Sequence, residues 1–114
     1  MKSIPNLSII IPCYNEFENL SNTASKISDY LQYLINKRKI GPASFILFVD
    51  DGSDDKSYEL LKKISTDNTK IKFIKLEQNY GHQIALIAGM DNSVSLVDAM
   101  ITIDCDLQQE IFAI

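Results

Sequence analysis

Apolar residues fall in two rhythms along this chain, and the alternation between them predicts its elements. The run LSIIIP at 7–12 is rich in β-branched residues and ends at a turn-forming proline, so it reads as a buried strand. From Asn15 the spacing lengthens, and Leu20, Ile27, Leu31, Leu34 and Ile35 share one face of a helix. Asn15 or Glu16 would start that helix. Glu18 suits its N-terminal dipole, Lys37, Arg38 and Lys39 suit its C-terminal end, and Gly41-Pro42 stops it.

The run SFILFV at 44–49 predicts a second strand, which meets Asp50-Asp51-Gly52-Ser53 at once. Ser53 or Asp54 is the expected cap of a second helix, with Tyr58, Leu61 and Ile64 on its face. IKFIKL at 71–76 alternates apolar residues with lysine, as a half-exposed third strand does. QIALIAGM reads as a closely packed helix, and AMITI at 99–103 as a fourth strand running straight into Asp104-Cys105-Asp106.

Strands alternating with helices predict parallel βαβ units with right-handed crossovers. The expected fold is α/β and Rossmann-like, a parallel sheet of about four strands ordered 3-2-1-4 with helices on both faces. That order makes the first and fourth strands neighbours at the topological switch point, where a ligand would sit beyond their C-terminal ends.

Composition narrows the classes. With 114 residues, 46% of them hydrophobic, the chain has the size of a single domain spanning 1–114. A net charge of -4, from 15 acids against 11 bases, argues against a nucleic-acid partner. No run is long enough for a signal-peptide core or a membrane span. Cys13 and Cys105 make neither a disulfide framework nor a CxxC metal site, so reduced thiols in a cytoplasmic protein are expected.

The acids carry the chemistry. Asp50 and Asp51 follow the second strand, Asp104 and Asp106 follow the fourth, and Glu16 follows the first, so all converge on one edge of the sheet. Taken singly, each is equally well a helix cap or a solvated loop residue. Taken together they repel one another and need a cation, and hard oxygen ligands favour Mg²⁺ or Mn²⁺. In extended backbone the spacing D-x-D turns both carboxylates to the same side. No G-x-G-x-x-G follows the first strand and no G-x-x-x-x-G-K-[ST] occurs, which argues against NAD-type and P-loop sites. Tyr14 offers an aromatic face to a base, and Asp50 or Asp51 could accept a hydrogen from a ring N–H.

IIIPCYNE, FVDDGSDD, LEQNYGHQIALIAGM and IDCDLQ, in that order, resemble the family 2 glycosyltransferases of the GT-A fold. The nearest look is to polyprenyl-phosphate sugar transferases related to dolichol-phosphate mannose synthase. The resemblance implies an inverting transfer from a UDP- or GDP-sugar donor to an acceptor such as a lipid phosphate or a saccharide. By motif position it implies Pro12, Tyr14, Asn15 and Glu16 in the nucleotide pocket, with Asp51 at the base or ribose and Asp50 beside it. Asp104 and Asp106 then form the D-x-D, with Asp104 also on the nucleotide side, and Gln108 joins the metal and phosphate shell.

Positions 13 and 105 often carry Ala in that family and are Cys here, and Gln109-Glu110-Ile111 replaces its usual continuation after the metal site. The family runs on for roughly as much again, so the chain is expected to be the donor-binding N-terminal part, with little or no turnover alone. The acceptor-side base would then lie beyond Ile114, and membrane association, at the cytoplasmic face, would come through those further segments. The exposed sheet edge offers a homodimer contact.

Two readings compete. A non-catalytic nucleotide-sugar binding or regulatory module would share the pocket, whereas a phosphoacceptor receiver domain needs an acid pair after the first strand and a late lysine that this chain lacks. His82 is read as a capping or packing residue rather than a base, Asn79 and Gly81 as a turn that could approach the donor, and Asp54 and Asp55 as helix-start acids. Tyr30 and Tyr33 are read as helix surface.

Overall fold

A computed structural model describes residues 4–106. The elements follow one another as β1 (Leu7–Cys13), α1 (Phe17–Asn36), β2 (Phe45–Asp50), α2 (Ser57–Asp67), β3 (Ile71–Lys75), α3 (His82–Ser93) and β4 (Ala99–Thr102). The four strands form one parallel sheet in the order β3-β2-β1-β4, as the sequence pattern predicts.

β1 and β2 are nearly continuous apolar runs because they lie inside the sheet and are covered on both faces. Their alternate residues divide between two cores. Ile9, Ile11, Ile46 and Phe48 meet Leu20, Ala24, Ile27 and Leu31 of α1 and Leu61 of α2. Ile10, Leu47 and Val49 point the other way and meet Ala85 of α3. β3 and β4 are the edges, and their exposed positions include Lys72, Lys75, Ala99 and Thr102.

Several element boundaries differ from the sequence reading by a residue or more, three of them for a clear local reason. α1 ends at Asn36, ahead of Gly41-Pro42, because Arg38 takes a left-handed conformation at φ 58° while its N–H reaches back to the Ile35 carbonyl. α2 starts at Ser57, not after Ser53 or Asp54. The N–H groups of Asp54 and Asp55 are taken by the Asn15 side chain, at 2.7 and 3.3 Å, so that segment remains a loop. β4 ends at Thr102, although the Ile103 N–H still donates to the Ile10 carbonyl at 3.1 Å.

Candidate functional site

The crevice at the switch point opens where β1 and β4 stop pairing, and a proline stops them. In a parallel strand, alternate residues direct their backbone groups to alternate neighbours. The Ile10 carbonyl faces β4, since it accepts from Ile103, and the Cys13 carbonyl faces β2, since it accepts from Asp51 at 2.9 Å. Pro12 therefore faces β4, and it has no N–H to offer. Pairing with β4 ends at Ile10, while pairing with β2 continues through Cys13.

Beyond β1 the chain turns sharply. Asn15 is left-handed, at φ 53°, and its N–H donates to the Ser53 hydroxyl at 2.9 Å. With its side chain accepting from Asp54 and Asp55, it laces the loop after β1 to the loop after β2. The Phe17 N–H adds a bond to the Asp55 carboxylate at 3.3 Å, and the Ser57 N–H adds another at 2.9 Å. Slight burial pushes the Asp55 carboxyl up, but hydrogen bonds from Ser57 and from the Phe17 N–H outweigh it and hold it below the usual carboxylate range.

Asp50 and Asp51 are adjacent in sequence and opposite in role. Asp50 ends β2 with its side chain fully buried, and one oxygen accepts the Ser53 N–H at 3.1 Å. Asp51 is also buried, but its two oxygens accept the Tyr80 N–H at 2.8 Å and the Gly81 N–H at 3.0 Å. It thereby clamps the turn that leads into α3. Gly52 makes the approach possible: it sits at φ 70°, and a Cβ there would fall 2.3 Å from the Gln78 carbonyl carbon.

Two cavities meet on this edge. One, of 230 Å³, is lined by Pro12, Cys13, Tyr14, Asp51, Asn79, Gly81 and His82. The other, of 210 Å³, is lined by Glu16, Asp104, Cys105 and Asp106 together with Pro12, Cys13, Tyr14 and His82. The structure thus brings Pro12, Tyr14, Glu16, Asp51, Asp104 and Asp106 to one place. Asn15 and Asp50 stand behind it, the first in the loop lacing and the second inside the fold. Gln108 lies outside the described residues.

Asp104 and Asp106 share a wall for a reason other than strand alternation, since both lie past the end of β4 in an irregular turn. That turn is tied from below. The Thr23 hydroxyl of α1 donates to the Cys105 carbonyl, and the Cys105 side chain is buried in the same core as Cys13. A hydrogen bond to Cys105, reinforced by burial, pushes the Cys13 thiol well above its ordinary range, so both sulfurs act here as small packing groups.

Among the described residues no group of three or more His, Cys, Asp or Glu side chains is gathered closely enough to hold a metal alone. Two carboxylates on an open cavity are nevertheless a fitting donor set for Mg²⁺ or Mn²⁺, which takes one or two protein carboxylates and fills its shell with phosphate oxygens and water. A larger cavity, of 760 Å³, lies between the starts of α1 and α2, lined by Glu16, Glu18, Asp54, Asp55 and Glu59 with Lys56, and Asp51, Asp104 and Asp106 have no part in its lining.

His82, read from the sequence as a capping or packing residue, lines both cavities; Ser53, read as a helix cap, instead accepts the Asn15 N–H, and the sequence pattern did not single out Thr23 or Tyr80. The Gly-His pair after the third strand was the available signal for the first; the others act through contacts that no local pattern announces.

Likeness to other proteins agrees with the geometry. The chain is 41% identical over 113 residues to the glycosyltransferase YkoT of Bacillus subtilis, covering 99% of this chain and 34% of that one. It is 42% identical over 106 residues to the undecaprenyl-phosphate 4-deoxy-4-formamido-L-arabinose transferase of Pectobacterium atrosepticum, covering 92% of this chain and 30% of that one. The chain therefore spans about a third of the length of these relatives. In fold it matches the mannosyltransferase PcManGT of Pyrobaculum calidifontis, solved with GDP-Man and Mn²⁺, at a TM-score of 0.74 and 17% identity over 90% of this chain and 28% of that one. The family model for glycosyl transferase family 2 matches residues 8–110, and the chain belongs to that family.

Proposed function

We propose that residues 1–114 form the donor-binding domain of an inverting glycosyltransferase that takes a UDP- or GDP-sugar together with Mg²⁺ or Mn²⁺. The observation that carries this reading is the pair of adjacent cavities at the switch point, which share Pro12, Cys13, Tyr14 and His82, one walled also by Asp51 and the other by Glu16, Asp104 and Asp106. A flat base fits against Tyr14, and Asp51 can accept a ring or ribose hydrogen on lone pairs left free by Tyr80 and Gly81. Pro12 lines both cavities, and Glu16 lines the one that holds Asp104 and Asp106. Asn15 and Asp50 serve the pocket by fixing its loops.

Asp104 and Asp106 would hold the divalent ion, with Gln108 completing the protein side. When bound, such an ion supplies positive charge against the diphosphate leaving group. The protein's own part is to fix the two carboxylates before the donor arrives, through Thr23 and the buried Cys13 and Cys105. The acceptor, which we take to be a polyprenyl phosphate or a saccharide, and the group that activates it are assigned to the longer protein. Among the described residues no helix is long and apolar enough to cross a membrane.

Calorimetric titration of UDP, GDP and ADP with and without Mn²⁺ tests the reading. Either UDP or GDP should bind more tightly with the metal, and Asp106→Ala should remove that gain, about tenfold or more in Kd. Metal-independent binding, or an Asp106→Ala variant that binds as the parent does, would overturn it. Sugar transfer measured on the same chain separates an enzyme from a binding module.

A further inference from the structure

The two cavities have an anionic lining for an anionic guest. Asp51 stands in one and Glu16, Asp104 and Asp106 in the other, and among the described residues no lysine or arginine lines either. Four residues line both, namely Pro12, Cys13, Tyr14 and His82. Among them Tyr14 and His82 carry an accessible polar side chain, because the Pro12 ring is apolar and the Cys13 thiol is buried. Tyr14 already directs its hydroxyl toward the Asp54 carboxylate at 3.4 Å. His82 is exposed and is the one ring of the shared wall that can present an N–H to a phosphate oxygen.

The position of His82 is fixed rather than incidental. Asp51 grips the N–H groups of Tyr80 and Gly81, the two residues before it, and Gly81 takes φ 99° to bring the chain into α3. His82 thus begins its helix at the point on the wall that the Asp51 cavity and the Asp104 and Asp106 cavity have in common. A nucleoside diphosphate with its base on Tyr14 and its terminal phosphate at the D-x-D would carry its inner phosphate past that point.

Resting on the proposed donor site, we infer that His82 is a specificity residue that donates a hydrogen bond to the phosphate next to the ribose. It is a ligand contact, separate from the metal-holding acids and from the base pocket. It lets a site lined by carboxylates distinguish a nucleotide from a nucleoside.

The test is a ladder of probes bound to the parent chain, His82→Ala and His82→Gln in the presence of Mn²⁺: uridine, UMP and UDP, and the guanosine series in parallel. His82→Ala should weaken the monophosphate and the diphosphate by about tenfold each, the scale of one charge-assisted hydrogen bond, and leave the nucleoside unchanged. His82→Gln, which retains an N–H donor, should recover part of the loss. Equal binding of UMP or GMP by the parent and His82→Ala overturns the inference, and so does an equal loss for nucleoside and nucleotide, which would place His82 at the base or in the fold. If the parent binds no nucleotide at all, the donor reading itself falls, so the two failures are told apart. Unchanged thermal melting of both variants is expected from the exposed side chain and excludes misfolding as the cause.

Discussion

Under α1 and α2, the side chains of Leu20, Ala24, Ile27, Leu31 and Leu61 close over Ile9, Ile11, Ile46 and Phe48. On the opposite face, α3 meets Ile10 and Val49 most closely through Ala85 and Gly89, with Leu86 and Ala88 half-buried against the same core, while Ile84, Ile87 and Met90 are 48%, 53% and 42% exposed. Both α1 and α3 carry several large apolar residues, yet they place them differently. α1 sets them in one stripe facing the sheet, with polar residues outside. α3 sets Ala85 and Gly89 against the strands, so its backbone approaches them closely; Leu86 packs partly on the core, and Ile84, Ile87 and Met90 face outward. The depth of each core follows from side-chain size at the contact, not from the apolar content of the helix.

The largest break in this comparison comes from hollowing the thicker side. Leu31 is 1% exposed, so Leu31→Ala removes a packed side chain and leaves a cavity, at a cost of about 2–5 kcal/mol. Urea unfolding should show a lower midpoint at unchanged slope. A loss under about 1 kcal/mol would mean that α1 collapses freely onto the sheet and that this core is not jigsaw-packed.

Gly89 sharpens the comparison from the thinner side. A Cβ at this position would fall 2.5 Å from Ile10 Cγ2 and 3.1 Å from Val49 Cγ2, and both of those residues are buried. Gly89→Ala therefore sets an overpacking cost of about 1–3 kcal/mol against about 1 kcal/mol of regained helix propensity. The expected result is a net loss smaller than that of Leu31→Ala. A stabilised Gly89→Ala would show that α3 rides farther from the sheet than this contact implies.

The same contrast explains what the sequence disclosed. Strand order and element sequence were legible because β1 and β2 are unbroken apolar runs and α1 repeats its apolar residues at helical spacing. The start of α2 was not, because what undoes a helix at Asp54 and Asp55 is the side chain of Asn15, far back in the chain. Nor could the strand pattern tell Asp50 from Asp51; it was the family resemblance alone that set Asp51 at the base or ribose and Asp50 beside it. Strand parity and the turn at Tyr80 and Gly81 send one carboxylate into the fold and the other to the cavity. The convergence of the acids was legible as a position at strand ends. The tie from Thr23 to the Cys105 carbonyl that steadies them was not, since it crosses from the middle of α1 to the last turn described.

The smallest effect is expected on the outer face of α3, and its smallness is informative. Ile87 is 53% exposed, so Ile87→Lys removes little buried apolar area and retains a good helix former. The unfolding free energy should stay within about 0.5 kcal/mol of the parent, as for surface substitutions generally. Any tendency of the chain to self-associate through this face should decrease, read as a lower sedimentation coefficient at high concentration. If Ile87→Lys instead destabilised the chain as much as Gly89→Ala, the outer face of α3 would be packed against something within the same chain, and the two faces of the sheet would be more alike than their residues suggest.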